Sequence, residues 1–580
     1  MKFSTVAQAF LALGQESSRT AMTELLAALL KEATPHEAQL ISYLTLGSLR
    51  PAYQGYQFNL AEKSMIKVIA QIQGAELAEF TKLVKSAGDI GKAMREGSWQ
   101  YTDQGLSLEE VYTQLERVRA ISGTGSQEEK AAALIELLTK VDQVSASFIT
   151  QIVIGTMRLG FSDMTLLDAL SWMVTGTKSL KKTLEDAYNL RADCGLIAYT
   201  LKKDGIEAVA AMQPTLGIPI RLAAAERAES PQAIIERLGT CIAQPKLDGF
   251  RLQIHIQKTG SKVHMWFFSR NLLDMSYMFP DLEKALEPAQ ATSLIVEGEA
   301  IVYDEETERF LPFQETVKRK RKHDIEEVAQ SLPLRLYLFD ILYLNGQPVI
   351  NLGHEERRAL LINLFGRYPN ETVQVIAEKI CHTTKELSDY FNEQITQGLE
   401  GLVVKRPDAS YQAGKRNFNW IKLKRHHEGQ LTDTLDAVIL GYYTGRGKRG
   451  AFGIGAFLVG VYNEDTDRYE TIAKVGTGLT DAEWLDLKKK CDAYRVSEKP
   501  SNVSCAQELT PDVWVAPQIV AVILADEITQ SPMHRAGSTE TIPGLALRFP
   551  RFMGFALDKK PEQATTVKEC RRLYELQFKG

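Results

Sequence analysis

Along residues 1 to 210, apolar positions recur every three or four residues and never alternate for long, so this region is expected to be helix after helix. In "MTELLAALL", Met22, Leu25, Leu26, Leu29 and Leu30 fall on one helical face. Thr34 caps the next helix, with Pro35 at its first position and Glu37 three residues past the cap. Further on, "SGTGSQEEK" places a glycine turn before Ser126 and Glu129, which are expected to form a capping box. The amides there suit either a phosphate cradle or an ordinary helix start. The period changes at "QPTLGIPI", residues 213 to 220, which reads as a linker. Beyond it "VHMWFFSR", "SLIVEGEAIVYD", "LRLYLFDILYLNG" and "GLEGLVVKR" have strand composition and alternate with helical segments. After "KLKRHHEG", the strands "LDAVILGYY", "GAFLVGVYN", "YETIAKVG" and "IVAVILADEIT" with one helical insert near residues 481 to 494 predict a small β-barrel. No internal repeat is apparent.

A chain of 580 residues, 44% hydrophobic and 24% charged, is globular and too long for one core. The predicted class is multidomain α+β: a helical domain over 1–210, a mixed α/β domain over 211–427 and a barrel over 428–580. The net charge of −5 leaves no overall basic field, so contact with nucleic acid must come from local clusters. Six scattered cysteines without a CxxC pair point to a reducing compartment. The start, "MKFSTVAQAFLAL", is broken by Gln8 and lacks a cleavage site, and no apolar run nears the roughly 20 residues of a membrane helix. A soluble, cytoplasmic protein is expected.

Chemistry concentrates in "AQPKLDGFR", residues 243 to 251, just before the alternating "LQIHI". No GxxxxGK[ST] phosphate loop occurs, so a nucleotide would have to be held otherwise. Lys246 precedes a turn that Asp248 and Gly249 suit. Free lysine has a pKa of about 10.4, so attack on phosphorus needs nearby cations or desolvation. Arg251, Lys422 and Lys424 are the candidates. Alone, the string also fits a surface turn with chance charges.

The deciding feature is order. "KLDGFR" (246–251), "SRN" (269–271), "VEGEAIVYD" (296–304), "LFDILYLNG" (338–346), "EGLVVK" (400–405) and "WIKLK" (420–424) follow one another. With "GTGSQEEK", "MRLGFSDMTLLDAL", "FQETVKRKRKHDI" and "LRFPRF", they make the whole chain resemble the ATP-dependent DNA ligases of archaeal and replicative type, within the covalent nucleotidyltransferase superfamily. The resemblance implies a helical DNA-binding domain, an adenylation domain and an OB-fold. It makes Lys246 the nucleophile that takes AMP from ATP. Glu299 and Glu400 become ribose and Mg²⁺ contacts, with Glu299 sharing a strand face with Glu297, itself expected at a sheet edge. Phe339 becomes the ring on adenine, or else a plain core residue. Gln244 stands where relatives often carry Glu facing the adenine amine. Arg251, Arg270, Lys422 and Lys424 become phosphate or nucleotide contacts, although Lys424 also suits solvent or the DNA backbone.

For nicked duplex DNA, the candidates are Ser126 and Lys130, then Lys318 and Arg319 of "KRKRKH", then Arg446, Lys448 and Arg449 of "GRGKRG". The basic run also suits a solvated helix face, and the glycine string a polar hairpin turn. Arg551, Asp558 and Lys559 lie near the end of the barrel. There the family's Arg-x-Asp-Lys is "ALDKK", so Ala556 replaces the arginine thought to help pyrophosphate leave; Ala556→Arg is expected to speed self-adenylylation. The resemblance also implies roles in replication, repair and recombination, a monomer, and a sliding clamp as partner. The competing functions are RNA joining or capping, against which the long helical front counts, and a non-catalytic DNA-binding protein. An NAD-dependent ligase would carry a four-cysteine zinc site that is missing here.

Overall fold

A computed structural model of the chain describes all residues except 17, 56, 158, 160–161, 305–308, 311–315, 317–318, 320–330, 369, 398, 425–433, 446, 557–558 and 578–580. It falls into two compact units, residues 1–73 with 99–425, and residues 74–98 with 426–580. The segment 74–98, helical by its period, therefore groups with the C-terminal unit.

Twelve described α-helices precede Ala211. Thr34 forms the expected capping box with Glu37. Ser126 does not: Gly125, at φ +80°, is the N-cap, and Ser126 is the first helical residue, leaving Glu129 no hydroxyl to reciprocate. Two of the helices share one kind of ending. Helices Pro35–Thr45 and Gln143–Val153 are each 11 residues long and side-chain capped. They end alike, with Gly47 at φ +77° and Gly155 at φ +65°. Ser48 N–H then bonds Tyr43 O at 3.1 Å, and Thr156 N–H bonds Gln151 O at 2.9 Å. The matching strings are "LGSLR" and "IGTMR".

The presumed linker is docked rather than free. Ile220 N–H donates to Gln253 Oε1 at 2.7 Å, and Gly217 N–H to His255 Nδ1 at 3.1 Å. Two sheets follow, built from β1 (Ala224–Arg227), β2 (Cys241–Pro245), β3 (Phe250–Thr259), β4 (Lys262–Ser269), β5 (Ser293–Asp304), β6 (Arg309–Phe310), β7 (Leu334–Leu344), β8 (Gln347–Pro348), β9 (Val373–Val375), β10 (Lys379–Cys381), β11 (Gly401–Lys405) and β12 (Arg416–Lys424). One has the order β1-β12-β11-β2-β10, the other β4-β3-β5-β7-β8. Each turns one face to its own core. Cys241, Ala243, Leu402, Val404, Ile421 and Leu423 back the first against helix Thr384–Thr396; Leu252, Ile254, Val296, Leu336 and Leu338 back the second.

In the C-terminal unit, β13 (Leu435–Tyr443), β14 (Ala456–Asn463) and β15 (Arg468–Val475) lead a curled eight-stranded sheet, a half-barrel of OB type. The predicted helical insert is Asp481–Ala493. "IVAVILADEIT" is two strands, Val520–Leu524 and Glu527–Ser531. No helix among the described residues is long and apolar enough to cross a membrane.

Candidate active site

Alternation along the strands builds a cleft between the two sheets. Because Cys241 and Ala243 point into the core, Gln244 takes the opposite face, and Lys246 follows it one pleat on. Register sets Val403 beside Gln244, Lys422 beside Val403, and Gly401 beside Lys424. On the other sheet Arg251 pairs with Glu299, and Gln253 with Glu297. β5 is central, so Glu297 is not at a sheet edge. It is fully buried and accepts from Arg251 Nη2 (2.8 Å), Tyr411 Oη (2.9 Å) and Gln253 Nε2 (3.2 Å). These bonds replace the water a buried carboxylate loses.

Lys246 is pinned through its backbone: its N–H donates to Gly401 O at 2.8 Å, and its carbonyl accepts from Glu400 N–H at 3.3 Å. The close approach needs two glycines. A Cβ on Gly401, at φ +136°, would lie 2.1 Å from Leu423 O, and one on Gly249 2.4 Å from Ala300 O. Gly249 is thus required by the neighbouring strand; its φ is not positive, so a turn dihedral is not the reason.

Lys246 Nζ is ion-paired with Glu400 Oε2, and Lys424 Nζ reaches the same oxygen at 3.1 Å. Burial pushes the Glu400 carboxyl up, yet Lys246 and Lys424 outweigh it and the net shift is downward. Glu299, accepting from Gly249 N–H at 3.2 Å, is raised to about 7 by burial, against the pull of Lys246 and Arg251. Lys422 is lowered by burial and by the repulsion of Lys424, Arg416, Lys246 and Arg270. Five cations therefore converge on one region, suited to an anionic ligand. Arg416 was not anticipated, although the strand period from "WIKLK" back to 416 carried the signal.

Phe339 is half-buried, edge-on to Trp420 at 6.1 Å, with Lys405 Nζ 5.0 Å from its ring centroid. Beneath it lies a charged cluster absent from the sequence reading. Asp340 accepts from Arg357 Nε at 2.7 Å, and Lys405 Nζ stands 3.8 Å away. Burial raises the Asp340 carboxyl, but Arg357 and Lys405 bring it to about 2. Lys405 falls to about 8, because burial and Arg357 outweigh a carboxylate already committed to Arg357. Arg251 donates to Ala223 O (2.9 Å) and Glu297, leaving its buried Nε unbonded among the described residues.

As a place for Mg²⁺, Glu299 and Glu400 supply two hard carboxylates from opposite sheets. An ion that keeps several waters and takes phosphate oxygens fits such a pair. No cluster of three potential ligands occurs among the described residues.

Family comparisons agree along the length of the chain. Residues 2–171 match the DNA ligase N terminus, 223–424 the ATP dependent DNA ligase domain, and 450–559 the ATP dependent DNA ligase C terminal region. A probable DNA ligase of Dictyoglomus turgidum is 42% identical, covering 100% of this chain and 98% of that protein. The chain belongs to the ATP-dependent DNA ligases. DNA ligase 1 of Methanosarcina acetivorans is 36% identical over 99% of this chain and 100% of its own length. The solved structure titled Pmar-Lig_PreS3 shares the fold at TM-score 0.56 and 16% identity, covering 95% of this chain and 99% of that one.

Several expected DNA contacts of the ligase are instead internal. Lys130 is buried and donates to Phe58 O at 2.8 Å. Arg319, also buried, bonds Asp281 (2.5 Å), Met278 O (3.1 Å) and Leu332 O (3.2 Å). Both cations hold backbone carbonyls, a role that composition cannot distinguish from phosphate binding. Arg449 donates to Gly455 O at 2.8 Å and lies 5.1 Å from the Trp484 ring centre. Ser126 is half-buried at its helix start, whereas Arg270 is exposed at the end of β4. Lys318, Arg446 and Asp558 lie outside the described residues, as does the side chain of Lys448. In the C-terminal unit, Arg551 pairs with Asp526 at 2.5 Å and Lys559 with Asp436.

Ala556 is buried, packed with Val438, Leu440 and Val520. An arginine there adds bulk to a packed core. Ala556→Arg is expected to cost about 1–3 kcal/mol of stability, read as a lower urea midpoint. An unchanged midpoint would mean that the side chain escapes to solvent.

Proposed function

We propose that Lys246 Nζ carries the AMP of this ATP-dependent ligase. Its nitrogen attacks the α-phosphorus, the bond to pyrophosphate breaks, and the nitrogen sheds a proton as the P–N bond forms. A 5′-phosphate oxygen at a nick then takes the AMP, and a 3′-hydroxyl displaces it to close the strand. The supporting observation is the lysine's setting: backbone bonds to Gly401 and Glu400, Glu400 on its ammonium, and Lys422, Lys424, Arg416 and Arg270 nearby. Fixed cations of this kind stabilise charge spread over phosphoryl oxygens without reorganising. Phe339 offers a face to the base, and Arg251 a free Nε–H. Glu299 and Glu400 would hold Mg²⁺, which when bound neutralises charge on the phosphates.

The division into a DNA-binding part (1–210), an adenylation part (211–427) and an OB part (428–580) is part of this proposal. So are a monomeric state, a cytoplasmic place and service in replication, repair and recombination. A sliding clamp would be the recruiting partner. The test is sealing of a labelled duplex with one 5′-phosphorylated nick, in Mg²⁺, with ATP or NAD supplied separately. Sealing with ATP alone is expected; sealing only of RNA, or only with NAD, would overturn the proposal.

A further inference from the structure

The proposed role of Lys246 places the α-phosphate at its nitrogen, and the inference here rests on that reading. The cations Lys422, Lys424 and Arg416 all stand on β12, so they draw the phosphates to that side of the cleft. The base then falls toward β2, where Gln244 is the one polar side chain of the strand. An amide is an ambiguous reader: it presents a carbonyl or an NH₂ according to which way it is turned. In Gln244 the choice is made by a neighbour. Its Nε2 donates to Glu378 Oε2 at 2.9 Å, while Arg358 Nε stands 3.3 Å from Glu378 Oε1. Among the described residues, no donor is bonded to Gln244 Oε1.

We propose that Glu378 is a positioning residue for base selection: it locks the Gln244 amide so that the carbonyl oxygen faces the base, favouring a purine with a 6-amino group over one with a 6-oxo group. Turning the amide over would set its oxygen against a carboxylate and forfeit a charge-assisted hydrogen bond. The carboxylate stays ionised: burial raises its pKa, but His354 at 3.6 Å, the bond from Gln244 and the charge of Arg358 bring the net shift below the ordinary value.

The experiment measures lysyl-nucleotide formation from α-labelled ATP and ITP in the full-length protein, as the ratio of kcat/KM values. The unmodified protein should prefer ATP. Glu378→Gln, whose amide can accept or donate, should reduce the ATP:ITP ratio by about tenfold or more, the worth of one such bond. Gln244→Ala should reduce it similarly while leaving Glu378 and Arg358 in place. The exchange Gln244→Glu with Glu378→Gln sets an obligate acceptor at the base and should restore the ratio. A structural role alone would lower both nucleotides' rates together and would not be rescued by the exchange. An unchanged ratio in Glu378→Gln, or in Gln244→Ala should the first variant fail to fold, overturns the proposal; so does an unmodified protein that uses ATP and ITP equally. Absence of any lysyl-nucleotide in the unmodified protein would instead bring down the role of Lys246 itself.

Discussion

Lys246→Ala is expected to abolish lysyl-AMP formation and to cut ATP-driven sealing by about four orders of magnitude or more, as removal of a covalent nucleophile does. Stability should barely move. The side chain is partly exposed, its ion pair belongs to a class worth about 0–1 kcal/mol, and Glu400 keeps Lys424 as a partner. Lys246→Arg separates charge from chemistry: it keeps a cation beside Glu400 but offers a guanidinium, which does not deprotonate in proteins. It should fold like the parent and form no adenylate. A synthetic 5′-adenylylated nick provides the internal control, because it enters after the lysine step and should still be sealed by both variants, if more slowly. Labelled AMP retained on Lys246→Ala through denaturing electrophoresis would mean that the covalent bond forms elsewhere, and the other lysines of the cleft, Lys422 and Lys424, would have to be tested.

Asp340→Ala should be the most damaging single change to the fold of the catalytic region. It leaves Arg357 and Lys405 buried without their carboxylate, and breaking such a group typically costs about 3–5 kcal/mol. Asp340 also predicts an acid limb. Its carboxyl has a pKa of about 2 in the folded protein, against about 3.9 in an unfolded chain. A lowered pKa means that the unfolded state binds the proton more readily, so the stabilisation is complete above about pH 4 and is lost as pH falls toward 2. Urea titrations at pH 7 and at pH 3 should therefore show a large difference between parent and variant at neutral pH that narrows in acid. A loss below about 1 kcal/mol at pH 7 would show that water reaches the cluster and replaces the carboxylate, contrary to its burial.

How much of this was legible beforehand depended on whether the information was local. The sheet strands were readable because period two survives translation into structure: "SLIVEGEAIVYD" is β5 from end to end. So was the family, since its motifs come as short strings in a set order. Failures came where a residue's meaning depended on what lay opposite. Gly249 looked like a turn former, yet it is needed because Ala300 O comes too close for a side chain. Glu297 looked like a solvated edge carboxylate, yet the strand order places it in the middle of a sheet against Arg251. Lys130 and Arg319 looked like phosphate ligands, yet both cap carbonyls inside the protein.

The sequence by itself determined the helical, mixed and barrel regions and the short motifs that mark the family, because periodicity and short motifs are properties of neighbours along the chain. Tertiary structure alone decided which charges are spent inside and which face the cleft. That choice turns on burial and pairing between residues far apart in sequence, as when Asp340 meets Arg357 and Lys405, or Gln244 meets Glu378, and a buried charge is tolerable only where a partner from elsewhere in the chain arrives to meet it.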